Sequence, residues 1–443
     1  MRARKRWRLT SSQVILLSFL GVVLLGGLVL SLPVSSADGQ WTSYFDSLFT
    51  AISATCVTGL VVKDTATYWS GFGQAVILAL IQVGGLGVIL TAFIVRVFSG
   101  SKVSLIQRSL LKDSISGDNV AGIIRMSLFI LKVVVVVELA GAALLYLVFA
   151  RDFGPVRGLW YALFHSVSAF CNAGFDLMGV RAQFSSLTSY SADALVNLVI
   201  MALIVVGGIG FYTWRDFAEH GLALSRFRLQ SKVSLATAAL LIGVPALILG
   251  LRAYAGLPLG ERVLASLFQS VTTRTAGFNT TDLTSLSQNC IMMMVLLMLV
   301  GGCSGSTAGG MKTTTFAVLV ATIAGIARRS DDTVLFQRRI PHETVRSAAG
   351  LLVLYLSGAL VGAMLICSLE GLPLLTCLFE TSSAIGTVGL TLGITPTLHA
   401  LSKAVLMALM FVGRIGALTF LFAAAPRARV ESGHFPTEDV NVG

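Results

Sequence analysis

The chain predicts an all-α integral membrane protein: four parallel units, each a membrane helix, a short re-entrant pore helix and a second membrane helix, set around a pseudo-fourfold pore. That makes eight transmembrane helices and four pore helices. Three observations carry this expectation. The 443 residues are 55% hydrophobic and only 12% charged, with a mean hydropathy of +0.85, more apolar than a soluble chain of this length requires. Long apolar runs recur along the whole sequence. Two linked phrases also occur four times in the same order, and a fixed long period marks one structural unit used repeatedly.

The apolar runs are Val14–Leu32, Gly73–Val95, Ile123–Phe149, Leu195–Tyr212, Val233–Leu251, Ile291–Gly301, Ala348–Leu369 and Ala404–Ala425. A helix needs about 20 mainly apolar residues to cross the bilayer core, and the eight runs read as spans, the Ile291 run being short by this measure. Basic Met1–Arg8 before the first run resembles a signal peptide. The run is long and no small-residue cleavage site follows it, so it reads as a retained first span.

The net charge of +11 sits in particular loops, so it is no sign of nucleic-acid binding. Basic residues gather in Met1–Arg8, at Arg96, Lys102, Arg108 and Lys112, at Arg215, Arg226, Arg228 and Lys232, at Arg328, Arg329, Arg338 and Arg339, and at Arg427 and Arg429. The intervening loops hold fewer: Lys63, Arg151, Arg157, Arg181, Arg252 and Arg262. The positive-inside rule then places both termini in the cytoplasm. The six cysteines show no metal-ligand spacing and read as buried, reduced thiols.

The first repeated phrase is LFTAISATCVTGL from Leu48, LFHSVSAFCNAGF from Leu163, LFQSVTTRTAGF from Leu267 and LFETSSAIGTVGL from Leu378. The second is VGGLG at Val83, VGGIG at Val206, VGGCSG at Val300 and VGRIG at Val412. The segment after each Leu-Phe is about 10 residues long, too short to cross a membrane. The units are bounded roughly by 1–112, 113–228, 229–340 and 341–443, with basic linkers at the joins. Two crossings per unit make the repeats parallel.

Irregular backbone at membrane depth is tolerated only where protein or water satisfies its polar groups. Glycine permits positive φ, so carbonyls can turn toward a shared axis. A ring of carbonyl oxygens can replace a cation's hydration shell, and the C-terminal ends of the pore helices favour a cation there. The other reading is that each glycine only allows close helix packing. Four matched copies favour the pore.

These residues resemble the Trk/Ktr/HKT superfamily of cation translocating proteins. Thr387-Val388-Gly389 matches the start of the potassium-channel filter TVGYG, and the sister triplets are Val57-Thr58-Gly59, Asn172-Ala173-Gly174 and Thr275-Ala276-Gly277. TTRTAGFNT from Thr272 and GGCSGSTAGGMK from Gly301 look like this family too. No extra pair of spans precedes the first unit, which fits the membrane subunits of bacterial Ktr potassium uptake systems better than TrkH. The resemblance implies that these triplets coordinate K+. It also implies that glycine in all four copies, Gly59 included, goes with potassium, whereas serine in the first copy goes with sodium-preferring plant members. Leu60, Phe175, Phe278 and Leu390 follow the glycines where potassium channels have tyrosine, so a simpler filter is expected.

The third unit departs from the pattern. Gly301, Gly302, Cys303, Ser304, Gly305, Ser306, Thr307, Ala308, Gly309 and Gly310 interrupt a would-be span. Each glycine costs a helix roughly 1 kcal/mol relative to alanine, so a continuous helix is not expected there. The resemblance implies an intramembrane gate loop; a static kink is the alternative. Arg414 occupies the slot of Gly85, Gly208 and Gly302, where a charge must face water or a partner. The resemblance sets it in the pore below the filter, and pairing with a carboxylate or with loop carbonyls is the plainer role. Lys312, which ends the loop, is expected at its cytosolic edge. Asp46, His165, Gln269 and Glu380 are read as ties between pore helices and their neighbours, Arg274 as an anchor of the third pore loop, and Lys132 and Glu138 as pointing to different helix faces.

No nucleophile–base pair, metal cluster or phosphate-binding loop is visible, so no enzyme is expected. The reading is a potassium-translocating subunit, with a sodium- or proton-coupled symporter or a non-conducting scaffold as rivals. The resemblance further implies a homodimer and a cytosolic ring of RCK-type subunits, like KtrA, that bind ATP or ADP, with Na+ as a possible activator. The basic linkers and the tail from Glu431 are candidate docking surfaces for that ring or for anionic lipid.

Overall fold

The structure is a computed structural model that describes residues 10–98, 111, 122–424 and 438. The basic segment Met1–Arg8, Lys102, Arg108, Lys112, Arg427, Arg429 and the tail apart from Glu438 lie outside the described residues.

Four long apolar helices are each long enough to cross a membrane: α1 (Ser11–Ser31), α5 (Ile123–Phe153), α9 (Leu229–Arg252) and α13 (His342–Glu370). A capping box between Thr10 and Gln13 opens α1. Each long helix is followed by a short one: α2 (Tyr44–Thr55), α6 (Pro155–Phe170), α10 (Leu259–Thr272) and α14 (Leu374–Gly386). Small residues let each pair approach closely. A Cβ on Gly27 would lie 3.2 Å from the Leu48 backbone, one on Gly141 2.6 Å from Ser166 Oγ, one on Gly250 3.4 Å from Ser266 Oγ and one on Gly362 3.2 Å from Thr381.

The phenylalanines of the Leu-Phe phrases, Phe49, Phe164, Phe268 and Phe379, are completely buried. So are Leu60, Phe175, Phe278 and Leu390, which follow the four glycines. An apolar side chain beyond each glycine thus anchors its turn in the core.

The remaining helices correct one expectation. The runs read as continuous second spans are broken: α3 (Gly71–Leu86) meets α4 (Val88–Phe98) at 101°, α7 (Ala194–Gly208) meets α8 (Phe211–His220) at 96°, and α15 (Ala400–Ile415) meets α16 (Ala417–Ala424) at 94°. The last glycine of each VGG-type phrase makes the corner, with φ of 89° at Gly87, 94° at Gly210 and 93° at Gly416, a conformation that side chains resist. In the third unit α11 (Gln288–Leu299) and α12 (Thr313–Ala327) are separated by the glycine-rich loop. Its corner residue Gly305 also has positive φ, 66°.

The first glycine of the phrase has a separate duty. Gly84, Gly207 and Gly413 press against the carbonyl oxygens of Thr55, Phe170 and Ile385, all in the last turn of the short helix of the same unit. Gly301 packs instead on Gly309 of its own loop. Beyond α12 a two-residue hairpin pairs β1 (Val334–Leu335) with β2 (Arg338–Arg339).

Candidate functional site: a ring of four glycine turns

Each short helix ends in a turn whose first and third residues have positive φ. The values are 50° and 95° at Val57 and Gly59, 57° and 69° at Asn172 and Gly174, 69° and 80° at Thr275 and Gly277, and 51° and 91° at Thr387 and Gly389. The middle residues Thr58, Ala173, Ala276 and Val388 keep negative φ. Alternating the sign of φ turns successive peptide planes so that their carbonyls face one side. For the four non-glycine residues this conformation costs roughly 1–3 kcal/mol each.

The turns meet one another. A Cβ on Gly59 would lie 2.5 Å from the Ala173 oxygen, one on Gly174 2.8 Å from the Ala276 oxygen and one on Gly277 2.5 Å from the Val388 oxygen; one on Gly389 would strike the Thr58 oxygen. Each glycine therefore packs on the middle carbonyl of the next turn, and the fourth returns to the first. Glycine is required twice over here, by φ and by the neighbouring backbone.

A brace that the sequence reading did not isolate supports all four turns. A hydroxyl stands four residues after each Leu-Phe phenylalanine, at Ser53, Ser168, Thr272 and Ser383. Ser53 and Ser383 accept hydrogen bonds from the Gly59 and Gly389 amides at 3.1 and 3.0 Å. Ser168 and Thr272 donate to the Phe175 and Phe278 carbonyls at 2.7 and 2.8 Å. The recurrent Phe-x-x-x-Ser/Thr spacing was the available signal.

His165 and Glu380 tie their short helices to the loops after the turns. His165 Nε2 accepts from the Leu177 amide at 3.3 Å, and the other ring nitrogen meets the Tyr161 carbonyl at 2.7 Å. Glu380 accepts from Thr391, from the Leu392 amide at 3.2 Å and from Thr395 at 2.9 Å. Thr50 only bonds its own helix, at the Asp46 carbonyl, while Gln269 reaches Met294 Sδ at 3.8 Å. Arg274 is buried and donates to the Ala238 carbonyl of α9 at 3.2 Å. Glu138 is buried and accepts from Gln82 at 3.3 Å, whereas Lys132 is exposed.

On one side of the ring lies a cavity of about 360 Å³, lined by all four glycines together with Asp64, Asp176 and Asp282. Asp64 accepts from the Ala66 and Thr67 amides at 3.0 Å and, across to the second unit, from the Phe184 amide at 2.9 Å. Burial pushes the Asp176 carboxyl up to about 7, and the nearby Asp64 carboxylate adds to the shift.

On the other side the glycine-rich loop packs directly beneath the turns. Gly309 lies against Thr387, and Thr307 donates to the Phe170 carbonyl at 3.0 Å. The Cys303 amide bonds the Gly208 carbonyl at 2.9 Å, and the Gly301 amide returns to Met311 at 2.7 Å. Ser306 closes on the Cys303 carbonyl at 2.7 Å, and Ser304 meets Thr314 at 2.8 Å. Ala308 is buried, and its carbonyl accepts from Lys312 Nζ at 2.6 Å. Lys312 therefore folds back on the loop that it ends. Gly302 and Gly310 fill the seam, the first beside Ala308 and the second beside the Gly386 carbonyl.

Arg414 joins three units. From the fourth it donates to the Thr307 carbonyl of the loop and to the Gly84 and Gly85 carbonyls of the first, the last at 3.1 Å. Among the described residues it forms no ion pair with a carboxylate, so carbonyls hold the guanidinium. Arg414, Lys312, Gly305 and Ser306 line a second cavity of about 220 Å³.

Comparison with known proteins follows this geometry. The model of the family TrkH, cation transport protein, matches residues 24–432. The chain is 38% identical to the potassium/sodium uptake protein NtpJ of Enterococcus hirae, over all of this chain and 99% of that one. It is 36% identical to the Ktr system potassium uptake protein B of Bacillus subtilis, over 99% and 98%. The crystal structure of the potassium transporter TrkH from Vibrio parahaemolyticus superposes with a TM-score of 0.73 at 19% identity, covering 96% of this chain and 87% of that one, a likeness of fold. The chain, with its ring of turns between apolar helices, therefore belongs to the TrkH family of cation transport proteins, and is a multi-pass membrane transporter of the Trk/Ktr kind and not an enzyme.

Proposed function

We propose that this chain is the ion-translocating subunit of a potassium uptake system. The closed ring of Gly59, Gly174, Gly277 and Gly389 carries the reading. Four units, at roughly 1–112, 113–228, 229–340 and 341–443, surround a pseudo-fourfold pore, and the short helices are its pore helices. Potassium enters the cavity bearing Asp64, Asp176 and Asp282, sheds water against the carbonyls of the four triplets, and leaves past the loop 301–310, Lys312 and Arg414. Two fixed cations beneath the ring oppose a third in the path, so the loop and Arg414 act together as the gate. The basic loops put that end in the cytoplasm.

The Ktr relative's name, a system component, supports a partner: a cytosolic ring of RCK-type subunits that binds ATP or ADP, acting on a homodimer of this chain. The name of the Enterococcus relative couples potassium with sodium. It favours a second reading, in which sodium activates or accompanies uptake as in a symporter.

The test is rubidium and sodium flux in proteoliposomes holding this chain with its partner ring. Downhill potassium flux without any sodium or proton gradient supports the pore, and uphill movement tied to such a gradient supports the symporter. Gly59→Ser is expected to lower potassium-over-sodium discrimination about tenfold or more, since a change near 1.4 kcal/mol at one ring position is enough. Unchanged discrimination overturns the filter role of Gly59.

A further inference from the structure

We infer that α8, the short helix beyond the Gly210 corner, carries a binding site for a divalent transition-metal ion, with Asp216, Glu219 and His220 as its ligands. The three residues stand at i, i+3 and i+4, which brings them to one helix face. One ligand atom from each lies within 4.8 Å of the others.

The site differs from a chance surface cluster because two of its three ligand residues, Asp216 and His220, carry a buried polar atom. Asp216 is fully buried, and one carboxylate oxygen accepts from the Arg228 amide at 3.0 Å. The other oxygen, Oδ1, has no hydrogen-bond donor among the described residues and lies 3.7 Å from Arg228 Nε, an ion-pair distance. His220 Nδ1 is likewise buried without a hydrogen-bond partner. A buried polar atom without a hydrogen bond is costly; a bound cation would satisfy His220 Nδ1 and supply Asp216 Oδ1 with a closer partner than the Arg228 guanidinium at 3.7 Å. Glu219 is exposed and pairs with Arg215 at 2.6 Å, so a bound ion would take its carboxylate in place of that exposed pair.

One imidazole and two carboxylates suit Zn2+, with bonds of about 2.0–2.2 Å to nitrogen and oxygen. The ion would pin the end of α8, whose first amide, Phe211, donates to Gly305 of the glycine-rich loop at 2.6 Å. Asp216 also holds the start of α9 through Arg228, so the site lies at the joint between the second and third units.

The experiment is Zn2+ titration of the full-length chain in detergent against a chromophoric chelator, with Co2+ as a spectroscopic probe. The expected result is one saturable site per chain and a cobalt spectrum without a thiolate charge-transfer band, which distinguishes it from the six cysteines. His220→Gln should weaken binding about tenfold or more, and Glu219→Gln, at an exposed position, should weaken it while leaving the fold intact. Failure of Zn2+ to saturate, a thiolate band, or wild-type affinity in both variants overturns the site.

Discussion

The two faces of the glycine ring carry opposite charge. The cavity on one side is lined by the carboxylates Asp64, Asp176 and Asp282, while the one beyond the loop holds Lys312 and Arg414. A cation is drawn toward the first and repelled from the second. On the proposed reading, dehydration belongs to the ring, and the barrier that a regulator must lift belongs to the loop and the arginine below it. Arg414 suits this task because carbonyls, not a carboxylate, hold it, so its charge stays uncompensated along the path.

The largest effect should come from the boundary between the two faces. Gly389→Ala adds a Cβ that strikes the Thr58 carbonyl, at a residue whose φ is 91°. Rubidium flux in proteoliposomes should fall to background while the detergent-solubilised protein still elutes as the wild type does. Flux close to wild type would mean that the ring is not the narrow part of the path.

Next comes the inner face. Removing the charge in Arg414→Gln takes away a repulsion of about 1–3 kcal/mol at the effective dielectric of such a site, so basal flux without nucleotide should rise tenfold or more. Lys312→Gln should give a smaller rise, because Lys312 bonds a single carbonyl of its own loop whereas Arg414 also ties that loop to Gly84 and Gly85. Single-channel or flux recordings that show unchanged basal rates in both would remove the electrostatic half of the gate.

The smallest effect belongs to the outer face. The Asp176 carboxyl has its pKa raised to about 7. The group is neutral below that pH and gains its negative charge as pH rises through it. Uptake at low potassium should therefore increase a few-fold between pH 6 and 8, and Asp176→Asn should flatten the profile at the acid-side rate. The stability sign runs the other way: a carboxyl whose pKa is higher folded than unfolded destabilises the fold as pH rises from about 4 to 7. Asp176→Asn should thus raise the unfolding temperature at pH 8 relative to pH 5.

Much of this was legible in the sequence. Long spans such as Val233–Leu251 appear as α9, Leu229–Arg252, because an apolar run near 20 residues has few other fates. The triplets were visible because each recurs at nearly the same distance from Leu-Phe. The corners at Gly87, Gly210 and Gly416 were not. A glycine penalty of roughly 1 kcal/mol does not distinguish a corner from a close contact, and both occur within one phrase, as Gly84 and Gly87 show. The break expected only in the third unit is thus common to all four. What sets the third apart is the length of chain inserted before α12, which replaces the docking of Gly84, Gly207 and Gly413 on their short helices with packing inside the loop itself. Loop carbonyls were one of the expected partners of Arg414, and Thr307 is such a partner; the Gly84 and Gly85 carbonyls, far off in the chain, were hidden because no local pattern encodes them.

On the proposed reading, four turns from four separate stretches of chain bind one dehydrated cation between them. Crystals grown in rubidium or thallium and measured at the ion's absorption edge test it most directly. The account predicts anomalous density on the axis between Gly59, Gly174, Gly277 and Gly389. Density confined to the outer carboxylates or to the cavity beside Arg414, with the ring empty at saturating ion, would contradict it.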